Sequence, residues 1–279
     1  MPLSYACIAP HGGEVIPELA TKSTERKFLT TRKGMLKVAK EIKAAKPDTI
    51  VVATPHNLRL WRNIGVVTAE NSSGKLQGSS GTIRSVTLRV RCDQEFALEL
   101  LSRAKKRKLP VVGANYGTTE GAASDMPMDS GTLVPLWFVM KGNRKRPKIV
   151  IVTPSREIPL SQNYEFGRLI AELAEKKSKR YVFVASADQA HAHKKSGPYG
   201  VSRAAAVYDR MVLDAIRANR IRRIMNLKTK LVDDAKPDSL WQMTMLAGIL
   251  SRVHLYPELF SYQVPTYYGM MCAGFRRTN

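Results

Sequence analysis

The chain has 279 residues, of which 44% are apolar, and carries 45 Lys and Arg against 23 Asp and Glu for a formal charge of +22. That apolar content and the absence of low-complexity tracts exclude a disordered chain and leave enough material for a sizeable core. No apolar run nears the roughly 20 residues that span a bilayer, and no basic segment leads into a hydrophobic signal region, so a cytoplasmic protein with no membrane association is expected.

The first element in chain order is the apolar run Ser4 to Pro10, which closes in His-Gly-Gly, and the next strand, Thr49 to Pro55, closes in His-Asn. Between them Met35, Val38, Ala39, Ile42 and Ala45 recur at helical spacing, which makes a β-α-β unit. Ile64 to Arg91 alternates around GSSG and reads as a hairpin whose clearer strand is Ser85 to Arg91, followed by a helix over Gln94 to Lys106. PVVGA, Lys148 to Pro154 and Tyr181 to Ala187 are three further strands of buried type, separated by helices over Thr132 to Met140 and Tyr164 to Lys176. Beyond Gly200 helices are expected over Arg203 to Ala218 and Ser239 to Val253, then a strand-like segment over Ser261 to Gly269. With no linker, repeat or phosphate loop, the simplest organisation is one α/β domain over 1–279, built on a central, mainly parallel mixed sheet flanked by helices.

Cys7, Cys92 and Cys272 are an odd, scattered set without a CxxC pair, so neither a disulfide framework nor a thiolate zinc site is indicated. Basic clusters recur at Arg103 to Lys108, Lys141 to Lys148 and Arg217 to Lys230. They lack interleaved aromatics and no zinc-finger or RRM signature accompanies them, so they read as solvated faces and nucleic acid is not expected as a partner.

Three of the five histidines hold equivalent places: His11 and His56 each close a strand, and His191 follows a third. In an open α/β sheet, side chains just beyond the carboxyl ends of parallel strands converge on a ligand site. Pro10 and Pro55 restrain the backbone before the first two. Two imidazoles and one carboxylate with open positions form the ligand set of mononuclear non-haem Fe(II) enzymes. His11 and His56 are the candidate nitrogen ligands, and Asp238 is the candidate carboxylate, although at the start of a helix it could equally be an N-cap. His191 suits acid/base work, with Asp188 three residues earlier as a candidate to orient its ring. His193 reads as a surface or supporting residue and His254 as structural.

The segments PHGGEVIPEL (Pro10 to Leu19), TPHN (Thr54 to Asn57), MDSGTLVPL (Met128 to Leu136), SADQAHAHKKSGPYG (Ser186 to Gly200) and SLWQMTMLAGIL (Ser239 to Leu250) together resemble the class III extradiol ring-cleavage dioxygenases, of the catalytic-subunit-B and Memo-like superfamily. The ordered set covers nearly the whole chain. The resemblance implies Fe(II), with zinc as a substitute, held by His11, His56 and a carboxylate, and His191 as the acid/base residue. Its substrates are a catechol- or aminophenol-type aromatic and O2, and a homo-oligomer is implied, with Thr266 to Phe275 as the candidate interface. The family usually has Glu near Asp238, so Asp234 is a second candidate for the carboxylate.

Many members of that family have a histidine contacting substrate or oxygen where this chain has Ser130, which cannot titrate in its place. The competing reading is therefore a Memo-like metal-binding or partner-binding protein with a degenerate site. Excess Lys and Arg at the rim would attract carboxylated aromatics on charge alone.

Overall fold

The structure, a computed structural model, describes residues 2–78, 84–143 and 145–277. The first half of the chain runs β1 (Leu3–Ala9), α1 (Lys22–Glu25), α2 (Leu29–Ala45), β2 (Thr49–Ala53), β3 (Ile64–Val67), β4 (Asn71–Gln77), β5 (Ser85–Arg91) and α3 (Gln94–Lys106). There follow β6 (Val111–Ala114), β7 (Asp125–Pro127), α4 (Ser130–Met140), β8 (Lys148–Thr153), α5 (Leu160–Glu175) and β9 (Tyr181–Ser186). The chain closes with α6 (Arg203–Arg217), α7 (Thr229–Ala235), α8 (Leu240–Leu250), β10 (Tyr256–Gln263) and β11 (Met270–Arg276).

The main sheet has the order β10-β11-β1-β9-β2-β8-β3-β6, with β5-β4-β7 in a second, small sheet. Its centre, β1-β9-β2-β8, is parallel throughout, and antiparallel pairing begins on either side, at β11 and at β3. Every residue of β2 and β9 is buried, which is why these strands read as continuous Val, Ile, Phe and Ala runs without alternation. On one face Val51, Val150 and Phe183 pack under α3, α5, α6 and α8; on the other Ile50, Ile149 and Val184 pack under α2 and α4. The expected α/β domain with a mainly parallel central sheet is thus the architecture observed. Among the described residues no helix is long and apolar enough to cross a membrane.

Three local expectations need correction. PVVGA is not a buried strand: β6 is the sheet's edge and pairs with β3, and Val112 is exposed. Of the expected hairpin, β4 and β5 pair in register, whereas Ile64–Val67 joins the main sheet; the turn residues 79–81 lie outside the described residues. Of the strand expected over Ser261 to Gly269 only Ser261 to Gln263 are extended, as the end of β10; the rest connects β10 to β11, which is inserted between β10 and β1. Met270, Met271, Cys272, Ala273 and Phe275 are consequently fully buried, so the segment proposed as an interface is interior. Its hydrophobicity serves the sheet.

Helix α8 is buried nearly all round and crosses α5 at very short range. At Gly248 an added Cβ would lie 2.0 Å from the carbonyl oxygen of Tyr164, a backbone atom that cannot swing aside. Gly248→Ala should therefore push the helices apart and cost about 1–3 kcal/mol, as overpacked cores do, and lower the thermal midpoint measured by circular dichroism.

Candidate metal centre

Parallel pairing in the order β1-β9-β2-β8 sets four carboxyl ends side by side, and each delivers a functional side chain. His11 follows β1, Asp188 and His191 follow β9, His56 follows β2 and Arg156 follows β8. Asp238 comes from elsewhere, immediately before Ser239 and α8. Ser239 is the residue at the N-cap position, no side chain caps this helix, and the Asp238 carboxylate turns instead toward the strand ends. Its Oδ2 lies 2.8 Å from His56 Nε2 and 3.3 Å from His11 Nε2, while Arg156 holds its other oxygen, Oδ1. Donors bound at about 2.1 Å to one ion stand roughly 3 Å apart when the angle at the ion is near a right angle. His11, His56 and Asp238 offer three ligand atoms that all lie within 4.8 Å of one another.

The surroundings fit a cation at this point. Asp238 Oδ2 is buried and has no hydrogen-bond partner of proper geometry, so a strong acceptor is left facing two imidazole nitrogens. His11 Nδ1 is engaged by Ser186 Oγ at 3.1 Å, which leaves Nε2 for the cluster, as the orienting groups behind metal-binding histidines do. Burial disfavours the His11 imidazolium, but Asp188 and Asp238 outweigh it and raise the pKa to about 9. Burial works against the Asp238 carboxylate too, yet the facing His11 and His56 imidazoles hold its pKa well below the usual range. The cluster thus holds negative charge that a proton or a divalent ion can neutralise, and ligation requires the imidazole to give up its proton.

His56 is the most open member, its side chain 48% exposed. Its loop is pinned by Thr54 Oγ1, which donates to Asp129, and by Asn57 Nδ2, which donates to the Pro127 carbonyl at 2.7 Å. Asp129 also caps α4 by accepting from the amides of Gly131 and Thr132. Thus the helix that begins with Ser130 and the loop that carries His56 are anchored by one carboxylate.

A cavity of about 440 Å³ opens beside the cluster, with His11, Ser130, Asp188, His191, Tyr267 and Tyr268 in its walls. A second lobe of about 320 Å³ shares His56, His191 and Tyr199 with it and reaches Asp238 and Trp241. Gly12 makes room here, because a Cβ at that position would lie 2.2 Å from the Tyr268 hydroxyl.

His191 stacks on Tyr268, with ring centroids 5.0 Å apart and planes 15° from parallel. Its Nδ1 lies 2.8 Å from the Gln189 carbonyl, to which it donates, leaving Nε2 with its lone pair. Burial lowers its pKa, so the ring is neutral at pH 7. Asp188 does not orient His191 as its spacing suggested. Its Oδ1 accepts the His11 backbone N–H at 3.1 Å and its Oδ2 lies 3.3 Å from His11 Nε2, so it supports the first imidazole instead.

Asp234 is exposed, pairs with Lys230 at 3.0 Å and is not part of the cluster. His193 donates to buried Asp209 over 2.8 Å. His254 is exposed in the loop after α8, away from the site. Arg156, Tyr267 and Tyr268 were missed from sequence. Arg156 had a usable signal, since TPSR follows β8 just as PHGG and TPHN follow β1 and β2; the tyrosines follow an antiparallel strand and had none.

Residues 5–273 match the model of a family described as the catalytic LigB subunit of aromatic ring-opening dioxygenase, and the chain belongs to this family. It is 25% identical over 263 residues to Protein CA_C1420 of Clostridium acetobutylicum, covering 94% of this chain and 55% of that protein. The chain therefore spans about half the length of this curated relative. A crystal structure of the uncharacterized protein JW3007 from Escherichia coli K12 superposes with a TM-score of 0.59 at 14% identity, over 97% of this chain and 99% of that one, and shares the fold.

Asp209 accepts from the Ala190 amide at 2.9 Å, from His193 and from the Tyr262 hydroxyl at 2.5 Å, tying the His191 loop to α6 and β10. Asp209→Ala should strand these three partners and destabilise the fold by about 3–5 kcal/mol, as loss of one member of a buried charged pair does. Denaturant unfolding measures the effect, and Asp209→Asn, which keeps the shape, should lose less.

Proposed function

We propose that the protein is a non-haem Fe(II)-dependent extradiol ring-cleavage dioxygenase acting on a catechol- or aminophenol-type aromatic. The observation that carries this reading is the clustering of His11, His56 and Asp238 where two adjoining cavities meet, with His191 lining both. Family membership supports the same chemistry.

His11, His56 and Asp238 would hold the ion. Bound Fe(II) supplies redox chemistry with O2 and lowers the pKa of a phenol that reaches it. The protein's own groups do the rest. His191 Nε2, kept unprotonated by burial and by its Nδ1–H bond to Gln189, accepts the phenolic proton and later returns it. Tyr268 fixes the plane of that ring by stacking. Asp188 and Ser186 hold the His11 ring in place, and Arg156 holds Asp238. The aromatic walls of the cavity receive a flat substrate and exclude water.

Ser130 favours a second reading, a Memo-like metal-binding or partner-binding protein with a degenerate site. Its hydroxyl lines the cavity where the family often places a titratable ring, and it cannot shuttle a proton near neutral pH.

Anaerobic loading with Fe(II), followed by oxygen-uptake measurements on a panel of catechols and aminophenols, tests the proposal. Stoichiometric iron and uptake with at least one substrate are expected. Iron-loaded protein that consumes no oxygen on any of them overturns it in favour of the second reading. His11→Ala and Asp238→Ala should lose iron by elemental analysis. His191→Ala should keep iron and lose about 10²–10⁴-fold in kcat/KM, the range for removing a positioned acid/base group.

A further inference from the structure

The stretch Arg217 to Lys230 takes no part in the metal centre. It leaves α6, turns at Asn219 and forms a 3-10 helix over Ile221–Asn226 that buries Ile221 and Ile224 and turns Arg220, Arg222 and Arg223 outward. This turn forms one wall of a cleft of about 260 Å³, whose other walls are α8, Tyr164 of α5 and the loop entering β10. Tyr256, at the lip, pairs with Arg276, which pairs with Tyr5 near the start of β1. The cleft therefore lies toward the amino ends of the parallel strands, whereas His11 follows the carboxyl end of β1.

Three properties set this cleft apart from a merely solvated basic face. Its charge is one-sided: Arg220 and Arg222 line it, with His254 beside them, and no carboxylate among the described residues does. Arg217, Lys230 and Arg252 around it have acidic partners, Asp214, Asp234 and Glu172, but Arg220, Arg222 and Arg223 form no ion pair among the described residues. Second, one cation is already ordered, since the Arg222 guanidinium lies 5.2 Å above the Tyr164 ring, which lowers the entropy lost on binding. Third, the floor is apolar, formed by Ile221, Leu250 and Leu255, and Tyr256 stands at the lip 49% exposed.

We propose that this cleft binds a phosphate-bearing ligand with a planar aromatic body, the chemistry of a nucleotide. Two guanidiniums and an imidazole present more donors than one carboxylate can accept, and they match the oxygens of a phosphate. The exposed ring of Tyr256 and the apolar floor take the flat body by stacking. The nucleotide is either free or part of a nucleic-acid strand, and the chemistry recognised is the same.

The test is calorimetric titration of the full chain with inorganic phosphate, AMP and a single-stranded hexanucleotide, repeated on variants. Saturable binding of AMP or the hexanucleotide, tighter than phosphate, is expected. R220Q/R222Q should weaken it about tenfold or more, as loss of charge-assisted hydrogen bonds does. Tyr256→Ala should weaken AMP and leave phosphate unchanged. If AMP binds and the hexanucleotide does not, the ligand is a free nucleotide; if the hexanucleotide binds more tightly, it is a strand. R222K keeps the charge and the packing over Tyr164, and together with R220Q alone it carries the test should the double variant fail to fold. The proposal is overturned if neither AMP nor the hexanucleotide saturates. It is also overturned if K105Q/K106Q, which removes equal charge from the end of α3, weakens binding as much as R220Q/R222Q.

Discussion

The buried carboxylate of Asp238, faced by His11, His56 and Arg156, is the interaction on which the arrangement of the whole carboxyl edge rests. An isolated carboxylate would not remain ionised at that depth, because burial alone disfavours its charge. It is held by groups from three different strand ends, and it holds them in turn. The loops after β1, β2 and β8 therefore converge on one point that no two of them would define alone.

This dependence reaches into the helical layer. Asp238 is carried at the start of α8, and α8 is seated by its close crossing of α5 at Gly248. The position of a charged side chain is thus set by the absence of a methyl group about three helical turns away. Likewise, His191 owes its place to a carbonyl, a stacked tyrosine and the Asp209 anchor.

Much of this was legible in the sequence because strands buried on both faces write themselves as unbroken apolar runs. The chain's rule that function sits where such runs end picks out His11, His56 and His191. Asp238 was reachable only as one of two acidic residues ahead of a helix, and choosing it over Asp234 needed the structure, since either could have been a surface or capping group. Asp188 was misread because three residues' spacing says nothing about direction once a strand has ended: its carboxylate turns back to the neighbouring strand's histidine. The edge position of β6 and the insertion of β11 depend on strand order, which is a property of the assembled sheet and leaves no local trace.

The two ends of the molecule differ in electrical character. The carboxyl edge gathers carboxylates around imidazoles, while the arginine turn near the opposite edge has few acidic partners. A net charge of +22 is therefore not a uniform coat, and the sheet keeps the arginine turn apart from the cluster of carboxylates and imidazoles.

The place of β1 has a consequence for how the molecule comes into being. Its hydrogen-bonding neighbours are β9 and β11, made of residues 181–186 and 270–276, and the partner of His11 in the cluster is residue 238. During synthesis β1 therefore stays unpaired on one edge until residues 181–186 have been made, and on the other until residues 270–276 have. Contacts so distant along the chain make folding slow. The juxtaposition of His11 with Asp238 is accordingly among the last features of the fold to form, and a chain cut short before β11 leaves the first histidine on a strand with one edge bare.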